Sequence, residues 1–418
     1  MKSVVIVGAG FGGLNAALKL AKSDQVKVTL IDKRNYHLFQ PLLYQVATAG
    51  LSPAEIATPI RSIFSNYEKV EVILGNVIDI DKENNCIRTE DAKYHYDYLV
   101  LACGATHSYF GNSGWEDNAP GLKTLEQATE IRRRILLSFE LAEKEMDPEK
   151  RKTLLTFVIV GGGPTGVEMA GSIAEISRHT MKEDFRSIDP ARTRVILIEA
   201  GPRILPAFDE VLSRQAALDL ERLGVQIWTS SRVTAIDSNG ARLGSEFVNA
   251  TTVIWAAGVH PSFLSKVLKV ELDDLGRVLV QKNLTLKSQQ NIFVIGDQAV
   301  FCNANGQPLP GVAPVAIQQG RHVATNILNT LAGRPLSDFK YLDKGMMATI
   351  GRNKAIVQVG GLKITGFIAW AAWLFVHIFY LIGVKNKFFV FSQWAWSFLT
   401  FKRGARLIID KEWRNSEG

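Results

Sequence analysis

The stretch VVIVGAGFGG at residues 4–13 decides the fold, because an apolar run leads directly into a glycine-rich loop. In a strand–loop–helix of this kind, the first glycine permits a sharp turn, the second admits a phosphate close to the backbone, and the third lets the helix pack closely. A second apolar run, Lys27 to Ile31, ends in Asp32, 19 residues after Gly13. A carboxylate at that interval can bind ribose hydroxyls, although a strand can also end in an acid without such a role. The pattern predicts a dinucleotide-binding βαβ unit.

The same pattern occurs again in the middle of the chain. The apolar run Leu155 to Val160 leads into GGGPTG at residues 161–166, and a later run, Val195 to Ile198, ends in Glu199. Glu199 lies 33 residues after the last glycine of this loop, whereas the usual interval is roughly 20. We attribute the excess to an extension between Arg178 and Arg194. The duplication predicts two dinucleotide sites in one chain.

The acid at the end of the second unit bears on which nucleotide is bound there. A carboxylate at Glu199 would repel the 2′-phosphate of NADPH, which favours NADH. Arg203 is the opposing feature, because its guanidinium could bind that phosphate. We predict NADH, with Arg203 as the residue responsible if NADPH proves to be preferred.

Three further apolar runs end in glycine and indicate how the domains are arranged. They are Tyr98 to Cys103 before Gly104, Thr252 to Ala257 before Gly258, and Asn291 to Ile295 before Gly296-Asp297. The third run follows the second glycine loop, so the first domain is predicted to be discontinuous, with the second inserted in it. The charged stretch Thr124 to Arg151 is interpreted as a helical connector, a surface helix of either domain being the alternative. The predicted division is 1–120 and 271–340 for the first domain, 121–152 for the connector, 153–270 for the second domain, and 341–418 for a C-terminal region.

Composition limits the classes of partner and cofactor. The chain has 418 residues, 47% hydrophobic and 21% charged, which predicts two or three domains folded nearly throughout. A net charge of +7 favours an anionic partner, either nucleic acid or an acidic lipid surface. The three cysteines form no Cys-x-x-Cys pair, which argues against a redox dithiol, a disulfide framework or a metal site. Because Val4 already begins the first strand, we expect no cleaved leader and a cytoplasmic folded body.

The composition changes in the C-terminal region, 341–418. Residues Ile364 to Val384 contain no Asp, Glu, Lys or Arg, and as one helix they would extend about 31 Å, enough to cross a bilayer. The tryptophans and His377 within this run instead suit helices lying on a membrane, since amphipathic aromatic residues prefer the interface. Beyond it, Trp394 and Trp396 followed by Lys402, Arg403 and Arg406 suit a helix lying on anionic lipid. Three arrangements are therefore considered: helices lying on the membrane, a spanning helix, or a buried dimer contact. His377 is a candidate proton donor for a ligand near this region, an interfacial role being the alternative.

Taken together, the two glycine loops, Asp32, residues 101–106 and residues 291–299 resemble the two-dinucleotide-binding flavoprotein superfamily over most of residues 1–335. The resemblance implies an α/β fold with two Rossmann-like domains of the three-layer ββα type, FAD in the first, NADH in the second, and the nicotinamide stacked on the flavin. The implied FAD-binding residues are Gly8, Gly10, Phe11, Gly12, Gly13, Asp32, Lys33, Gln40, Val77, Ala102, Gly104, Gly296, Asp297 and Gln318. The implied NADH-binding residues are Gly161, Gly163, Pro164, Thr165, Gly166, Glu168, Glu199 and Gly258.

Within that superfamily the chain resembles the type II NADH dehydrogenases. The disulfide reductases and sulfide:quinone reductases use cysteine sulfurs, which are missing from the equivalent stretches here, so electrons are expected to leave directly from the flavin to quinone, oxygen or a protein. The segment NYHLFQPLLYQVA at residues 35–47 is similar to a segment beside the flavin in that family. The segment APVAIQ at residues 313–318 is similar to its Ala-Gln-x-x-x-Gln quinone motif, with Pro314 in place of the first glutamine and Gln318 as the second.

The resemblance implies a reaction and a location. A hydride would pass from NADH to N5 of FAD, followed by two-electron reduction of ubiquinone or menaquinone without proton pumping. Glu168 and Gln318 are the implied catalytic residues; Glu168 could instead be an acid favoured by the helix dipole. The family also implies a homodimer held peripherally on the cytoplasmic side of the inner membrane. A soluble ferredoxin reductase or oxidase of the same fold and a non-catalytic membrane NADH sensor are the alternatives, and dispersed basic residues argue against nucleic-acid binding.

Overall fold

The computed structural model describes residues 1–303 and 305–409, which divide into two compact units. The helices are α1 (Phe11–Leu20), α2 (Leu43–Ala47), α3 (Pro53–Ile56), α4 (Ile60–Ile63), α5 (Leu125–Lys144), α6 (Pro148–Leu154), α7 (Pro164–Glu175), α8 (Glu210–Arg222), α9 (Leu264–Val267), α10 (Ala313–Leu331), α11 (Gly366–Tyr380) and α12 (Val384–Thr400). The strands are β1 (Lys2–Val7), β2 (Val26–Asp32), β3 (Tyr36–Leu38), β4 (Ala57–Pro59), β5 (Val70–Leu74), β6 (Val77–Asp81), β7 (Cys86–Thr89), β8 (Lys93–His95), β9 (Tyr98–Leu101), β10 (Ala105–His107), β11 (Thr156–Val160), β12 (Arg194–Ile198), β13 (Val225–Trp228), β14 (Ala235–Asp237), β15 (Gly240–Leu243), β16 (Glu246–Asn249), β17 (Thr252–Trp255), β18 (Val259–Pro261), β19 (Val278–Leu279), β20 (Ile292–Val294), β21 (Ala299–Val300), β22 (Met346–Gly351), β23 (Lys354–Val359) and β24 (Leu362–Thr365).

Unit 1 is built around a parallel sheet with the strand order β20-β9-β1-β2-β5. It comprises Met1–Leu38, Ala57–Thr106 and Val259–Lys344. The last four residues of β1 are all buried, as expected for an apolar run at the centre of a parallel sheet that is covered on both faces. Val7 pairs with Ile31 on one side and with Leu101 on the other. The carboxyl ends of these three strands are therefore level, and the loops that follow them share one edge of the sheet.

Two further layers complete unit 1. The antiparallel sheet β6-β7-β8 covers the parallel sheet through a cluster in which Val5 and Val7 pack with Ile80 and Ile87. Helices α1 and α10 pack so closely that a Cβ on Gly320 would lie 2.1 Å from the Gly12 carbonyl oxygen. A sheet, a second sheet and a helical layer form the ββα arrangement.

Unit 2 repeats this plan. It comprises Phe39–Ile56, His107–Gly258 and the described residues from Gly345 onward. Its parallel sheet has the order β13-β12-β11-β17, and the antiparallel sheet β14-β15-β16 packs on it through a shared apolar cluster. The long interval before Glu199 is occupied by a π-helical turn, Ile176–Thr180, and a short turn, Pro190–Arg192. The predicted α/β class with parallel sheets is confirmed.

A third sheet, β22-β23-β24, belongs to unit 2 and packs against α7, the helix that follows the second glycine loop. A Cβ on Gly171 in α7 would lie 1.8 Å from the Ile350 carbonyl oxygen, so α7 and β22 are in backbone contact. Helices α11 and α12 follow this sheet. Residues 410–418, the end of the predicted C-terminal region, lie outside the described residues.

The run Ile364 to Val384 does not form one helix. β24 continues to Thr365, α11 has only 15 residues, about 22 Å at 1.5 Å per residue, and Gly383 interrupts the chain before α12 with a φ of +87°. A positive φ of this size is accessible mainly to glycine, which explains the break at that position. Within residues 1–303 and 305–409, no helix combines the length and the hydropathy needed to cross a bilayer.

Candidate active site

The first glycine loop has the geometry of a cradle for a diphosphate. Gly8 has a φ of +99°, and a Cβ there would lie 2.4 Å from the Ala102 carbonyl oxygen. A Cβ on Gly13 would lie 1.8 Å from the Gly8 carbonyl oxygen, whereas a Cβ on Gly10 would meet no atom within 4 Å. Side chains are thus excluded where the loop packs against the protein, and space is left in front of Gly10 at the beginning of α1. These residues fit the diphosphate of FAD.

Asp32 holds this loop from the end of β2. One carboxylate oxygen accepts a hydrogen bond from the Ala9 N–H at 2.6 Å, and the other accepts one from the Arg34 N–H at 2.8 Å. The carboxylate is therefore fixed in orientation at the end of β2. Lone pairs that remain on its two oxygens are available to ribose hydroxyls.

The other predicted FAD-binding residues lie in unit 1, with one exception. Ala102 follows β9 at the same sheet edge as the loop, Val77 begins β6, and Lys33 is exposed beside Asp32. Gly296, after β20, has a φ of +70°, and its N–H donates to the buried side chain of Gln319 at 2.7 Å. The exception is Gln40, which belongs to unit 2 and donates to the Lys123 carbonyl at 3.4 Å.

Asp297 and Gln318 lie near the start of α10. A Cβ on Gly311 would lie 3.1 Å from the Asp297 carboxylate, so the backbone passes close to this acid. The side-chain amide of Gln318 donates to the Leu342 carbonyl at 2.9 Å and accepts from the Leu342 N–H at 3.0 Å. Gln318 therefore holds the segment that follows α10, and its part in quinone binding stays a prediction.

The second glycine loop reproduces the first. Gly161 has a φ of +109°, a Cβ on Gly166 would lie 1.8 Å from the Gly161 carbonyl oxygen, and a Cβ on Gly163 would meet nothing within 4 Å. Glu199 repeats the two bonds of Asp32, accepting from the Gly162 N–H at 2.7 Å and from the Gly201 N–H at 2.6 Å. Pro164 and Thr165 begin α7 directly behind the loop. Unit 2 thus contains a cradle that fits the diphosphate of NADH.

Gly258, after β17, is packed against an aromatic ring. Its φ is +71°, and a Cβ there would lie 2.6 Å from the Phe110 ring. All of the predicted NADH-binding residues belong to unit 2.

Arg203 is engaged in a structural role. Its guanidinium donates to the carbonyls of Phe208 and Pro206, both at 2.9 Å, and to the Ser213 hydroxyl. These bonds hold the turn before α8 and engage both Nη atoms of the guanidinium within the protein. The structure therefore favours Glu199 over Arg203 as the residue that decides between the nucleotides, and Glu199 favours NADH.

We expect kcat/KM to be about 100-fold higher for NADH than for NADPH, because a carboxylate facing a phosphate costs a few kcal/mol. Glu199→Gln removes the charge and keeps the size, so it should narrow this ratio by about 10-fold or more. Arg203→Gln is the matched variant and should leave the ratio unchanged. Steady-state kinetics with both nucleotides test this, and a lower NADPH activity in Arg203→Gln alone would contradict it.

Glu168 lines a cavity of about 130 Å³ within unit 2. The cavity is bounded by Tyr44 from α2, by Trp373 from α11 and by Trp394 from α12. One Glu168 oxygen accepts a long bond from the Thr349 N–H at 3.4 Å. Burial raises the pKa of Glu168 to about 8, and the single N–H bond only partly opposes this. At neutral pH the side chain is a protonated acid, able to give up a proton.

A buried arginine, Arg403, also lines this cavity, whereas the sequence predicted it to face anionic lipid. Arg403 donates to the Thr48 carbonyl and to the Ser172 hydroxyl, both at 2.9 Å, and pairs with Glu175 at 3.4 Å. Arg352 lines the cavity as well. Its guanidinium lies against two phenylalanine rings, one near the end of α12 and one just after it, and its main-chain N–H donates to Glu175. The segment after α12 is thereby attached to the carboxyl half of α7. Only long-range packing reveals this contact, because Arg403 lies in a basic stretch that suggests surface exposure.

His377 does not suit the role of a proton donor. Its Nδ1 donates to the Trp373 carbonyl at 2.7 Å in its own helix, and its ring stacks on Trp373 with centroids 3.9 Å apart. Burial lowers the pKa of His377 to about 4. The ring is therefore neutral at physiological pH and packs as an aromatic core residue.

Comparison with known proteins identifies the family. A family model described as pyridine nucleotide-disulphide oxidoreductase matches residues 2–320. The Type II NADH:quinone oxidoreductase Ndh of Mycobacterium tuberculosis is 44% identical to this chain, with 98% of this chain and 90% of the relative aligned. This chain belongs to the type II NADH:quinone oxidoreductases. A Staphylococcus haemolyticus member of these oxidoreductases is 33% identical, with 87% of this chain and 91% of the relative covered. The family predicted from the two loops and the adjoining segments is confirmed.

Solved structures show the same fold. NDH2 from Plasmodium falciparum in complex with NADH superposes with a TM-score of 0.89 at 22% identity, covering 98% of this chain and all (100%) of that chain. The sulfide:quinone oxidoreductase of Aquifex aeolicus gives a TM-score of 0.76 at 19% identity, covering 93% and 92% of the two chains. Both solved structures thus share the fold of this chain.

Proposed function

We propose that this chain oxidises NADH and reduces a membrane quinone, with FAD held in unit 1. The observation that carries the proposal is the pair of matching cradles, each with a carboxylate that binds the loop N–H, in a chain of this family. FAD, when bound, accepts a hydride from NADH and passes two electrons to the quinone. The first loop and Asp32 hold the cofactor, and the second loop and Glu199 bind and release the nucleotide substrate.

Glu168 has the position and the protonation state to assist quinone reduction. A quinone that takes up two electrons also needs two protons to become a quinol. Glu168 is protonated at neutral pH, lies in a cavity bounded by aromatic side chains, and is carried on the same helix as the NADH cradle. We infer that it supplies one of these protons, a general-acid role.

The C-terminal helices present an apolar surface suited to lipid. In α11, Ala369, Trp373 and His377 face the protein, while Phe375 and Phe379 are 71% and 63% exposed. In α12, Phe388, Phe391 and Leu399 are exposed in the same way. Lys385 lies over the ring of Phe389, and Lys387 lies over the ring of Phe379. Aromatic side chains with adjacent lysines suit the interface of an anionic membrane, which supports a peripheral position on a membrane. The cytoplasmic side of the inner membrane stays a prediction.

The double substitution Phe375→Glu and Phe388→Glu should release the protein from vesicles that contain anionic lipid. Each ring contributes roughly 1.5–3 kcal/mol when fully buried, and each glutamate adds repulsion, so binding should fall by at least about 100-fold. Val211→Glu is the control, because Val211 is 62% exposed on α8. Co-sedimentation measures binding, and ferricyanide reduction by NADH shows that the active site is intact. A double variant that still sediments with the vesicles would contradict a lipid-facing role for these helices.

The proposed reaction is tested directly with protein bound to quinone-containing vesicles. Addition of NADH without oxygen should convert quinone to quinol in a one-to-one ratio, with no change of pH inside the vesicles, because no transmembrane path for protons is proposed. Turnover with oxygen or ferredoxin but not with quinone would instead support a soluble-type reductase or oxidase. The homodimer stays a prediction.

A further inference from the structure

His37 is buried against the first glycine loop. It lies in β3, where it pairs with Thr58 of β4, and only 2% of its surface is exposed. Its Nδ1 lies 2.8 Å from the carbonyl oxygen of Ala9, the residue between the first two glycines of the loop. A carbonyl oxygen can only accept, so Nδ1 carries the proton and donates. Burial lowers the pKa of His37, which keeps the ring neutral at physiological pH.

The Ala9 contact explains why a histidine occupies this place. The other ring nitrogen, Nε2, is buried and has no hydrogen-bond partner among the described residues. A buried polar atom without a partner is unfavourable, and an apolar ring of similar size would avoid that penalty. The ring also meets Phe11 edge to face, with centroids 5.3 Å apart, a contact that a phenylalanine could make equally well. The bond to Ala9 is therefore the interaction that distinguishes histidine here.

Holding the Ala9 carbonyl also orients the next N–H. The peptide bonds of the described residues are trans, so the Ala9 C=O and the Gly10 N–H point in opposite directions from one rigid plane. With the carbonyl directed at His37, the Gly10 N–H is directed away from it, at the beginning of α1, where a Cβ on Gly10 would meet no atom within 4 Å. The preceding peptide is fixed as well, because the Ala9 N–H donates to Asp32 at 2.6 Å. His37 and Asp32 thus hold both sides of Ala9.

The second loop achieves the same result without a side chain. Gly162 is the equivalent of Ala9, and its N–H donates to Glu199 at 2.7 Å. Its carbonyl oxygen accepts from the main-chain N–H of Leu205, also at 2.7 Å. Each of the two loops therefore has a hydrogen-bond donor to the carbonyl at the equivalent position. In one the donor is backbone, and in the other it is the side chain of His37.

We propose that His37 is a positioning residue for FAD, which holds the Ala9 carbonyl so that the Gly10 amide faces the space for the cofactor's diphosphate. The inference rests on FAD binding at the first loop, as in the function proposed above. It predicts that loss of the Nδ1 donor loosens FAD and leaves the NADH cradle untouched, because the second loop uses Leu205 instead.

Three substitutions separate this role from general packing. His37→Asn places an amide N–H close to the position of Nδ1, His37→Gln has the same chemistry one bond too far away, and His37→Phe keeps the ring without a donor. Release of FAD from the holoenzyme is followed by the rise in flavin fluorescence after dilution. We expect release to be about 10-fold faster or more in the Gln and Phe variants, and within about 3-fold of the unmodified protein in the Asn variant. The Kd for NADH should stay within about 2-fold in all three.

Equal FAD release in the Asn and Phe variants would overturn the proposal, whether both resemble the unmodified protein or both are equally fast. A parallel loss of NADH affinity would also overturn it, since that pattern indicates general damage. If His37→Phe does not fold, the comparison of Asn with Gln decides, because both are polar and differ only in reach. An unmodified protein that binds no FAD would overturn the proposed function together with this inference, whereas equal release from a flavin-containing series overturns the inference alone.

Discussion

Gly13→Ala is expected to give protein that retains no FAD and has no NADH:quinone activity. The added Cβ would lie 1.8 Å from the Gly8 carbonyl oxygen, a main-chain atom, and 3.2 Å from the Ala102 Cβ, so the backbone must shift to admit it. Either the loop opens or α1 shifts, and in both cases the cradle is lost. Overpacking of this kind typically costs about 1–3 kcal/mol, and we expect FAD affinity to fall by 100-fold or more, roughly the upper end of that range. Flavin absorbance per mole of purified protein measures the effect.

Gly166→Ala is the matched variant in the second loop. Its Cβ would lie 1.8 Å from the Gly161 carbonyl oxygen, so the steric clash is the same as in the first loop. This protein should be yellow and reducible by dithionite, yet not by NADH. Gly114→Ala is the neutral control, because a Cβ there would meet no atom within 4 Å. Two results would show that the cofactors have been assigned to the wrong units. One is a Gly13→Ala protein that retains flavin, and the other is a Gly166→Ala protein that loses flavin but still binds NADH.

Glu168→Gln should slow quinone reduction by about 100-fold while flavin reduction by NADH changes by less than about 3-fold. The acid form is the proton donor, and it is lost as the pH rises through about 8, so quinone turnover of the unmodified protein should decline above that pH. Glutamine does not titrate, and the variant should show no decline near pH 8. Stopped-flow measurement of the two half-reactions across pH 6 to about 9.5 separates these effects.

Glu175→Gln provides the comparison for Glu168. Glu175 lines the same cavity but is paired with Arg403, so its loss should leave the decline near pH 8 in place. Stability supplies a second readout. Because burial raises the pKa of Glu168 from 4.5 in the unfolded chain to about 8, folding should become less favourable as the pH rises between these values, and Glu168→Gln should remove that loss. An unchanged pH profile of quinone turnover in Glu168→Gln would exclude the proton role.

The two cradles were predictable from sequence because each depends on local rules. A buried strand, glycines at positions where a Cβ would collide, and an acid at the end of the next strand can all be recognised in a single chain. The structure adds that Asp32 and Glu199 make equivalent pairs of bonds with the backbone. The longer interval before Glu199 was also explicable as an insertion, and residues 176–193 occupy it.

Other features depend on contacts that no local pattern reveals. The apolar run beginning at Ile364 suggested a single long helix by composition, but its first residues pair in β24 and Gly383 ends it early. Arg403 looked like part of a basic surface, whereas it is held by partners far away in sequence, on α7 and after α2. His37 received no role from the sequence, because its partner, Ala9, is 28 residues earlier in the chain.

The central claim is that one chain holds a flavin which NADH reduces and a quinone reoxidises. The most direct test is an anaerobic titration of the purified holoenzyme, followed by the absorbance of its oxidised flavin. We predict that one equivalent of NADH bleaches the flavin and that one equivalent of quinone restores its colour without oxygen. A flavin that NADH does not bleach, or one that is bleached and regains colour only when oxygen is admitted, would contradict the account.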